Sequence, residues 1–143
     1  MFRTQVRVKV TVQVQQLLSL AAIELGIDRS TYLQAMMIDA LNRDLDGDYQ
    51  DMFPPPSPQS SVARSKIGGL RKVYRQSQPK NCTISFMTYA PCPATLHRAA
   101  QETGMQTITA YVRRELQSSL AWILDMDPDE IQMPKNAAEM IHP

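Results

Sequence analysis

Apolar and polar residues alternate near the beginning of the chain and then adopt a helical spacing. Val6, Val8 and Val10 are separated by single polar residues, which predicts a β-strand with one apolar and one polar face. Two series of apolar residues at helical spacing follow: Val14, Leu17, Leu18, Ala21 and Leu25, and then Leu33, Met36, Met37, Ala40 and Leu41. The pattern therefore predicts a unit of strand, helix, turn and helix between residues 6 and 45.

Residue types that begin and end helices stand at the ends of these segments. Thr11 is placed to cap the first helix, because its hydroxyl can accept from the unpaired amides of the first turn. Gly26 suits the left-handed position after that helix. Asp28 or Ser30 can cap the second helix, which we expect to continue to about Leu45.

The same plan returns in the second half of the chain. Ile84 takes the place of Val6, and the same offset along the chain, applied without a gap, places Gly104 on Gly26. Further apolar residues keep the pattern of the second copy: Phe86, Leu96, Ala99, Ala100, Val112, Leu116, Leu120 and Ile123. The chain is therefore predicted to contain two strand-helix-helix units, because an internal repeat at a fixed offset is a strong sequence signal.

The size of the units predicts how they fold. Each has only about 40 residues, which is too few to bury its own apolar side chains, whereas the whole chain of 143 residues suffices for one small domain. We therefore expect the two units to form one mainly α-helical domain. The apolar runs are too short for a membrane span, and the chain begins without the apolar block of a secretion signal, so a cytoplasmic location is expected.

Composition separates a linker and a tail from the two units. We expect the first unit to occupy residues 1–45 and the second residues 82–124. Residues 46–81 begin with acids, pass through Pro54–Pro58 and end in a basic block without acids, which predicts an extended linker. Residues 125–143 are acidic and have weak periodicity, which predicts a partly ordered tail.

An acidic stretch after the second helix is a candidate for a calcium loop. Asp44, Asp46 and Asp48 have suitable spacing, but Tyr49 stands where the sharp turn needs glycine and Pro55 where a bidentate acid is needed. We therefore interpret this stretch as a solvated helix end closed by a glycine.

Other reactive residues predict neither an enzyme nor a cofactor site. Cys82 and Cys92 are expected to be reduced, and Cys92 occupies the core position that Val14 has in the first unit. His97 and His142 have no cysteine or acid at ligand spacing. The sequence also lacks a catalytic serine cluster and a glycine-rich phosphate loop. We expect no enzymatic activity, no metal and no cofactor.

The polar face of the first strand is a candidate for nucleic-acid binding. The net charge is only +1, but the charges are segregated along the chain. Gln5, Arg7 and Lys9 project together from one short strand, and a two-stranded ribbon is one of the few elements that fit the DNA major groove. The alternative is an ordinary solvated strand.

The order and lengths of the elements closely resemble those of the ribbon-helix-helix family, to which the Arc and MetJ repressors belong. The resemblance covers about 40 residues in each half and depends on the shared pattern and the glycine turn. It implies a mainly α fold with a two-stranded antiparallel β-ribbon that enters the major groove. With both copies in one chain, it implies a tandem ribbon-helix-helix pseudo-dimer, monomeric in solution and able to form higher oligomers on DNA.

The resemblance also assigns roles to residues. Base contacts would come from the outward strand positions, which are Gln5, Arg7, Lys9, Thr83, Ser85 and Met87. Phosphate contacts would come from the first strand and from the start of the second helix in each unit, namely Arg3, Arg29, Ser30, Thr31, Thr107, Ile108 and Thr109. The second strand departs from the pattern, because its outward positions carry no charge. The basic linker block is a further candidate, either docking on the protein or contacting DNA, through Arg64, Lys66, Arg71, Lys72 and Arg75.

Tandem copies in one chain are similar to the accessory proteins of conjugative plasmid transfer, which mark and bend an origin of transfer for a relaxase. The resemblance implies a sequence-specific double-stranded DNA-binding protein with a relaxase or other transfer proteins as partners. Three alternatives stay open. They are a ribbon-helix-helix transcriptional repressor, an antitoxin whose acidic tail neutralises a basic toxin, and a protein-binding adaptor with a covered ribbon.

Overall fold

A computed structural model describes residues 2–55 and 82–134 of the chain. The first unit comprises strand β1 (Arg3–Val10), helix α1 (Val12–Leu25) and helix α2 (Arg29–Asp44), and a 3-10 helix (Gln50–Met52) follows it. The second unit comprises strand β2 (Cys82–Tyr89), helix α3 (Cys92–Glu102) and helix α4 (Ile108–Ile123), followed by a 3-10 helix (Pro128–Glu130). The described part is mostly helical, and the predicted order of elements is confirmed in both units.

The two strands pair antiparallel with each other and form a two-stranded sheet. The register extends from Arg3 opposite Tyr89 to Val10 opposite Cys82. Side chains alternate between the two faces of a strand, and the inner face of this ribbon is buried at Val6, Val8, Val10, Ile84, Phe86 and Thr88. The predicted antiparallel β-ribbon is therefore present.

Polar side chains cap the beginnings of both helices of the first unit, and a glycine follows the first helix. The hydroxyl of Thr11 accepts a 3.1 Å hydrogen bond from the backbone amide of Val14. Gly26 follows α1 at φ 71°, a left-handed conformation that glycine adopts without the steric cost of a Cβ atom. Asp28 caps α2, because its carboxylate accepts from the amide of Thr31 at 2.7 Å. All three predicted caps are confirmed, and the N-cap of α2 is Asp28, the earlier of its two candidates.

The second unit uses the same devices. Gly104 has φ 77°, and Thr107 caps α4 by accepting a 3.1 Å hydrogen bond from the amide of Ala110. Pro91 precedes α3 and Pro93 lies in its first turn, where proline leaves no intrahelical hydrogen bond unmade.

Both units contribute to one hydrophobic core. Its buried residues come from the inner ribbon face, from all four helices and from the segments that follow α2 and α4. Val14 on α1 and Cys92 on α3 are both fully buried, which confirms the predicted core position of the thiol. Burial raises the pKa of Cys92 to about 12. This thiol therefore acts as a small apolar side chain.

The first part of the predicted acidic tail packs on α1. Ile131 is buried beside the core, the hydroxyl of Thr11 donates a 2.7 Å hydrogen bond to the carbonyl of Gln132, and the side chain of Gln13 donates to the carbonyl of Glu130 at 2.9 Å. The backbone amide of Gln132 in turn donates to Gln13 at 2.7 Å. Residues 125–134 are thus held by specific contacts in the part of the chain that the structure describes.

Candidate nucleic-acid interface

The outer face of the ribbon brings together all six residues predicted to contact bases. Four cross-strand pairs form this face: Arg3 with Tyr89, Gln5 with Met87, Arg7 with Ser85, and Lys9 with Thr83. Gln5, Arg7, Lys9 and Thr83 are exposed, whereas Ser85 and Met87 are half-buried. The outer face also includes Tyr89, which the sequence analysis did not assign to the site.

The charge on this face is positive and lies on one strand only. Arg3, Arg7 and Lys9 belong to β1, the outward residues of β2 are uncharged, and neither strand contains an acid. A short surface with three cations and no acid attracts a polyanion. It presents a different set of groups on each strand, so its two halves are chemically unequal.

Three of the outward side chains are connected by hydrogen bonds. The Nε2 atom of Gln5 donates to the hydroxyl of Ser85 across the ribbon at 3.0 Å. The Nε atom of Arg7 donates to Oε1 of Gln5 at 2.9 Å. The guanidinium of Arg7 is therefore oriented by a contact that reaches the opposite strand through Gln5.

The start of α2 lies beside the ribbon, as the assigned phosphate contacts require. Two clefts separate the helix from the strands. One of about 230 Å³ is lined by Leu18, Arg29, Ser30, Leu33, Thr83, Ile84 and Ser85. The other, of about 180 Å³, is lined by Arg3, Asp28, Ser30, Thr31, Gln34, Pro54, Pro55 and Met87. The proximity of Arg29 to β2 is also evident in the pKa of Cys82, which burial raises and the positive charge of Arg29 partly lowers.

Two polar side chains hold the second helices against the ribbon. On α2, the Nε2 atom of Gln34 donates to the carbonyl of Met87 at 2.9 Å. On α4, the Nε atom of Arg113 donates to the carbonyl of Lys9 at 2.9 Å. The helices therefore flank different strands, α2 beside β2 and α4 beside β1. Sequence analysis missed both residues. The only feature that could have indicated either of them was the position of Gln34, a polar residue next to the apolar stripe of its helix.

The start of α4 carries the other predicted phosphate contacts. Thr107 is exposed, and Ile108 and Thr109 are half-buried. The hydroxyl of Thr107 is engaged in the helix cap, so a ligand at this end would meet backbone amides of the first turn. The linker residues Arg64, Lys66, Arg71, Lys72 and Arg75 lie outside the described residues.

The acidic helix end differs from its prediction. Asp46 and Asp48 are exposed, but the side chain of Asp44 is only 12% exposed and contacts α4. The expectation of a solvated helix end is therefore wrong for Asp44.

Within residues 2–55 and 82–134, no group of three or more His, Cys, Asp or Glu side chains could hold a metal ion. None of the helices described there is long and apolar enough to cross a membrane.

The outer ribbon face is the candidate site in the described part of the chain. It combines an acid-free cationic strand, a connected set of side chains and the adjacent start of α2. No protein-family model matches the chain, and neither a curated protein nor a solved structure matches it. The function that this surface supports is therefore derived from its geometry and chemistry.

Proposed function

We propose that the chain is a tandem ribbon-helix-helix protein whose two units form an intramolecular pseudo-dimer that binds double-stranded DNA through its ribbon. One observation carries the proposal. The strands of the two units pair antiparallel, and their outward face has Arg3, Arg7 and Lys9 without an acid. Such a ribbon fits the major groove, where base edges present distinct donors and acceptors.

The strand register supports the pseudo-dimer. The repeat offset that places Ile84 on Val6 also makes Ser85 the counterpart of Arg7 and Met87 the counterpart of Lys9. In the ribbon, Arg7 faces Ser85, and Gln5 faces Met87. When two copies are related by a twofold axis through the ribbon, one residue faces its own counterpart. The residue two positions before it then faces the counterpart of the residue two positions after it. The pairing is therefore the one that two identical units would adopt in a homodimer.

The outward side chains suit sequence-specific binding. An arginine can donate two hydrogen bonds to guanine, and a glutamine can bond adenine through its amide. On the other strand, Thr83 and Ser85 offer single hydrogen bonds, and Met87 offers an apolar contact to a thymine methyl group. The starts of α2 and α4 would contact phosphates on either side and set the orientation of the ribbon in the groove.

The inequality of the strands favours one biological role. A repressor at a palindromic operator presents the same residues twice, whereas this ribbon presents Gln5, Arg7 and Lys9 beside Thr83, Ser85 and Met87. A protein of this kind binds in one direction. We therefore propose an accessory role in plasmid or mobile-element DNA transfer, where an origin of transfer is processed with fixed polarity and a relaxase is the expected partner.

Binding measurements on three ribbon variants test the proposal. Arg7→Ala and Lys9→Ala together should weaken binding to a selected site by roughly 2 to 4 kcal/mol, and binding of the parent should weaken steeply with salt. Arg98→Ala is the matched control, because it removes one positive charge from an exposed position on α3, a helix that carries none of the proposed DNA contacts. Each single ribbon variant should bind more weakly than this control. Equal affinities for the double variant and the parent would exclude the ribbon as the binding surface.

The same assay distinguishes a DNA-binding protein from the alternative of a protein-binding adaptor. A ribbon covered by another protein has no need to attract DNA, so the purified chain should then fail to bind random duplex even at low salt. Retained non-specific binding at low salt would favour a DNA-binding protein, because that binding comes almost entirely from phosphate contacts.

A further inference from the structure

We infer, relying on the proposed DNA-binding function, that Arg7 contacts a guanine at the centre of the DNA site and that Gln5 and Ser85 are the residues that position it. The proposal concerns which residue determines specificity, and where in the site. It follows from the register of the ribbon and from the hydrogen bonds on its outer face.

Arg7 occupies the middle of the proposed pseudo-dimer. It faces Ser85, which is its own counterpart in the second unit. A residue on the twofold axis of a ribbon lies above the centre of the DNA site. In a homodimer two identical residues would share this position, but here an arginine and a serine share it. At the centre of the site, β1 therefore presents a cation and β2 an uncharged side chain.

The contacts of Arg7 determine which of its atoms remain available. Its Nε atom donates to Oε1 of Gln5 at 2.9 Å. Of the five donor hydrogens of a guanidinium, the four on the two terminal nitrogens then remain for a ligand. These two nitrogens form a planar fork that matches the O6 and N7 acceptors of guanine. The orientation imposed by Gln5 thus favours an end-on contact with one guanine.

Gln5 is itself fixed from the opposite strand. Its Nε2 atom donates to the hydroxyl of Ser85 at 3.0 Å, so one amide group connects Ser85 to Arg7. Fixing a long side chain before binding reduces the conformational entropy that complex formation would otherwise cost. Gln5 and Ser85 therefore act on specificity through Arg7. The same connection cannot form on the other side of the axis, where Thr83 and Met87 are the counterparts of Gln5 and Lys9.

Site selection from random duplex DNA tests the position of the guanine. The full chain should select a motif with a guanine at its centre on one strand, and Arg7→Ala should lose that preference. Arg7→Lys should not restore it fully, because an ammonium group lacks the planar fork. Gln5→Ala and Ser85→Ala should both reduce the preference for the central guanine, in addition to losing the base contacts that these side chains make themselves. Matched controls are Gln101→Ala and Ser118→Ala, which remove the same side chains from exposed positions on α3 and α4.

A modified base gives a second measurement that does not depend on selection. Replacing the central guanine by 7-deazaguanine removes the N7 acceptor and should weaken binding of the parent roughly tenfold to hundredfold. The same replacement should have little effect on Arg7→Ala. In Gln5→Ala and Ser85→Ala the effect of the modified base should fall by about threefold to tenfold, as expected for loss of one supporting hydrogen bond.

The outcomes separate this inference from the proposed function. Sequence-specific binding by the parent with no central guanine, or with a central guanine that Arg7→Ala retains, would overturn the inference and leave DNA binding intact. Normal central preference in both Gln5→Ala and Ser85→Ala would overturn their positioning role. Absence of binding to any duplex at low salt would overturn the proposed function and the inference together.

Discussion

The hydroxyl of Tyr111 on α4 donates a 2.6 Å hydrogen bond to the carboxylate of Asp44 at the end of α2. Arg43 pairs with the same carboxylate at 2.9 Å and with Glu115 on α4 at 2.9 Å. Arg114 lies 3.1 Å from Glu115 and 3.8 Å from Asp44. One polar network therefore connects the second helix of the first unit to the second helix of the second unit.

The two units contribute different halves of this network. In the alignment of the two units, Leu33 is the counterpart of Tyr111, and Trp122 is the counterpart of Asp44. Leu33 is buried in the core, whereas Trp122 is 87% exposed. Pairing of α2 with a second copy of itself would place Asp44 beside Leu33, so the partly buried carboxylate would keep Arg43 but lose the donor that Tyr111 supplies. The network therefore favours pairing of unlike units.

Removing the Tyr111 hydroxyl should destabilise the protein. We expect Tyr111→Phe to lower the free energy of unfolding by about 1 to 2 kcal/mol, because the carboxylate of Asp44 loses a donor in a poorly solvated position. Urea unfolding monitored by circular dichroism measures the change, and the slope of the transition should stay constant. Asp39→Asn, an exposed change on the same helix, should alter stability by less than about 0.5 kcal/mol. Equal stability of Tyr111→Phe and the parent would mean that the contact contributes nothing.

The same network predicts a loss of stability in acid. The hydrogen bond from Arg43, and next that from Tyr111, lower the pKa of Asp44 below its usual range. A carboxyl with a depressed folded-state pKa stabilises the fold above its unfolded pKa of about 3.9. That contribution is lost as the pH falls through the lower folded-state value.

Unfolding between about pH 5 and pH 2 provides the measurement. The parent should lose more stability over this range than Asp44→Asn, which has no carboxyl to protonate at that position. Asp39→Asn serves as the control and should follow the parent. An Asp44→Asn variant with the same pH profile as the parent would show that this carboxyl does not contribute to acid sensitivity.

Joining the units in one chain should make folding independent of concentration. Both strands and all four helices contribute to one core, so the burial that would require association of two separate units is intramolecular. We expect the melting temperature of the full chain to remain constant over a hundredfold range of protein concentration. A fragment of residues 1–53 that is monomeric and fully folded would contradict the mutual dependence of the units.

Local sequence patterns were sufficient to predict the elements and the outer face of the ribbon. Successive side chains of a strand point to opposite faces, so Gln5, Arg7 and Lys9 must share the outer face once Val6 and Val8 are buried. The caps at Thr11 and Gly26 were predictable because each depends on residues within one helical turn. These features depend on neighbours in the sequence, and the repeat allowed them to be extended to the second unit.

Contacts between distant segments could not be predicted in the same way. Asp44 was expected to lie at a solvated helix end closed by a glycine, whereas its partner Tyr111 is 67 residues away. Gln34 and Arg113 donate to backbone carbonyls, which every residue offers, so no residue type identifies the acceptor. Ile131 is an isolated apolar residue in an acidic segment, and only the tertiary packing explains its burial.

The inequality of the strands yields a prediction about the symmetry of the DNA site. Under the proposed function, β1 presents Gln5, Arg7 and Lys9 to the groove, and β2 presents only uncharged side chains. Bidentate contacts from charged side chains discriminate bases by roughly 1 to 3 kcal/mol each, whereas single hydrogen bonds and methyl contacts discriminate less. The motif selected from random DNA should therefore contain more information in one half than in the other.

A symmetrised ribbon tests whether the strand residues cause this asymmetry. Thr83→Gln, Ser85→Arg and Met87→Lys together give β2 the outward residues of its counterpart strand. This triple variant should select a palindrome, and its binding should depend more steeply on salt because the ribbon gains two cations. Thr83→Ser with Met87→Leu is the matched control, which alters the same strand without adding charge and should keep the asymmetric motif. A palindrome selected by the parent chain would mean that pairing on DNA joins like units from two chains. An asymmetric motif in the triple variant would instead place the cause of asymmetry outside the ribbon, in the unequal starts of α2 and α4.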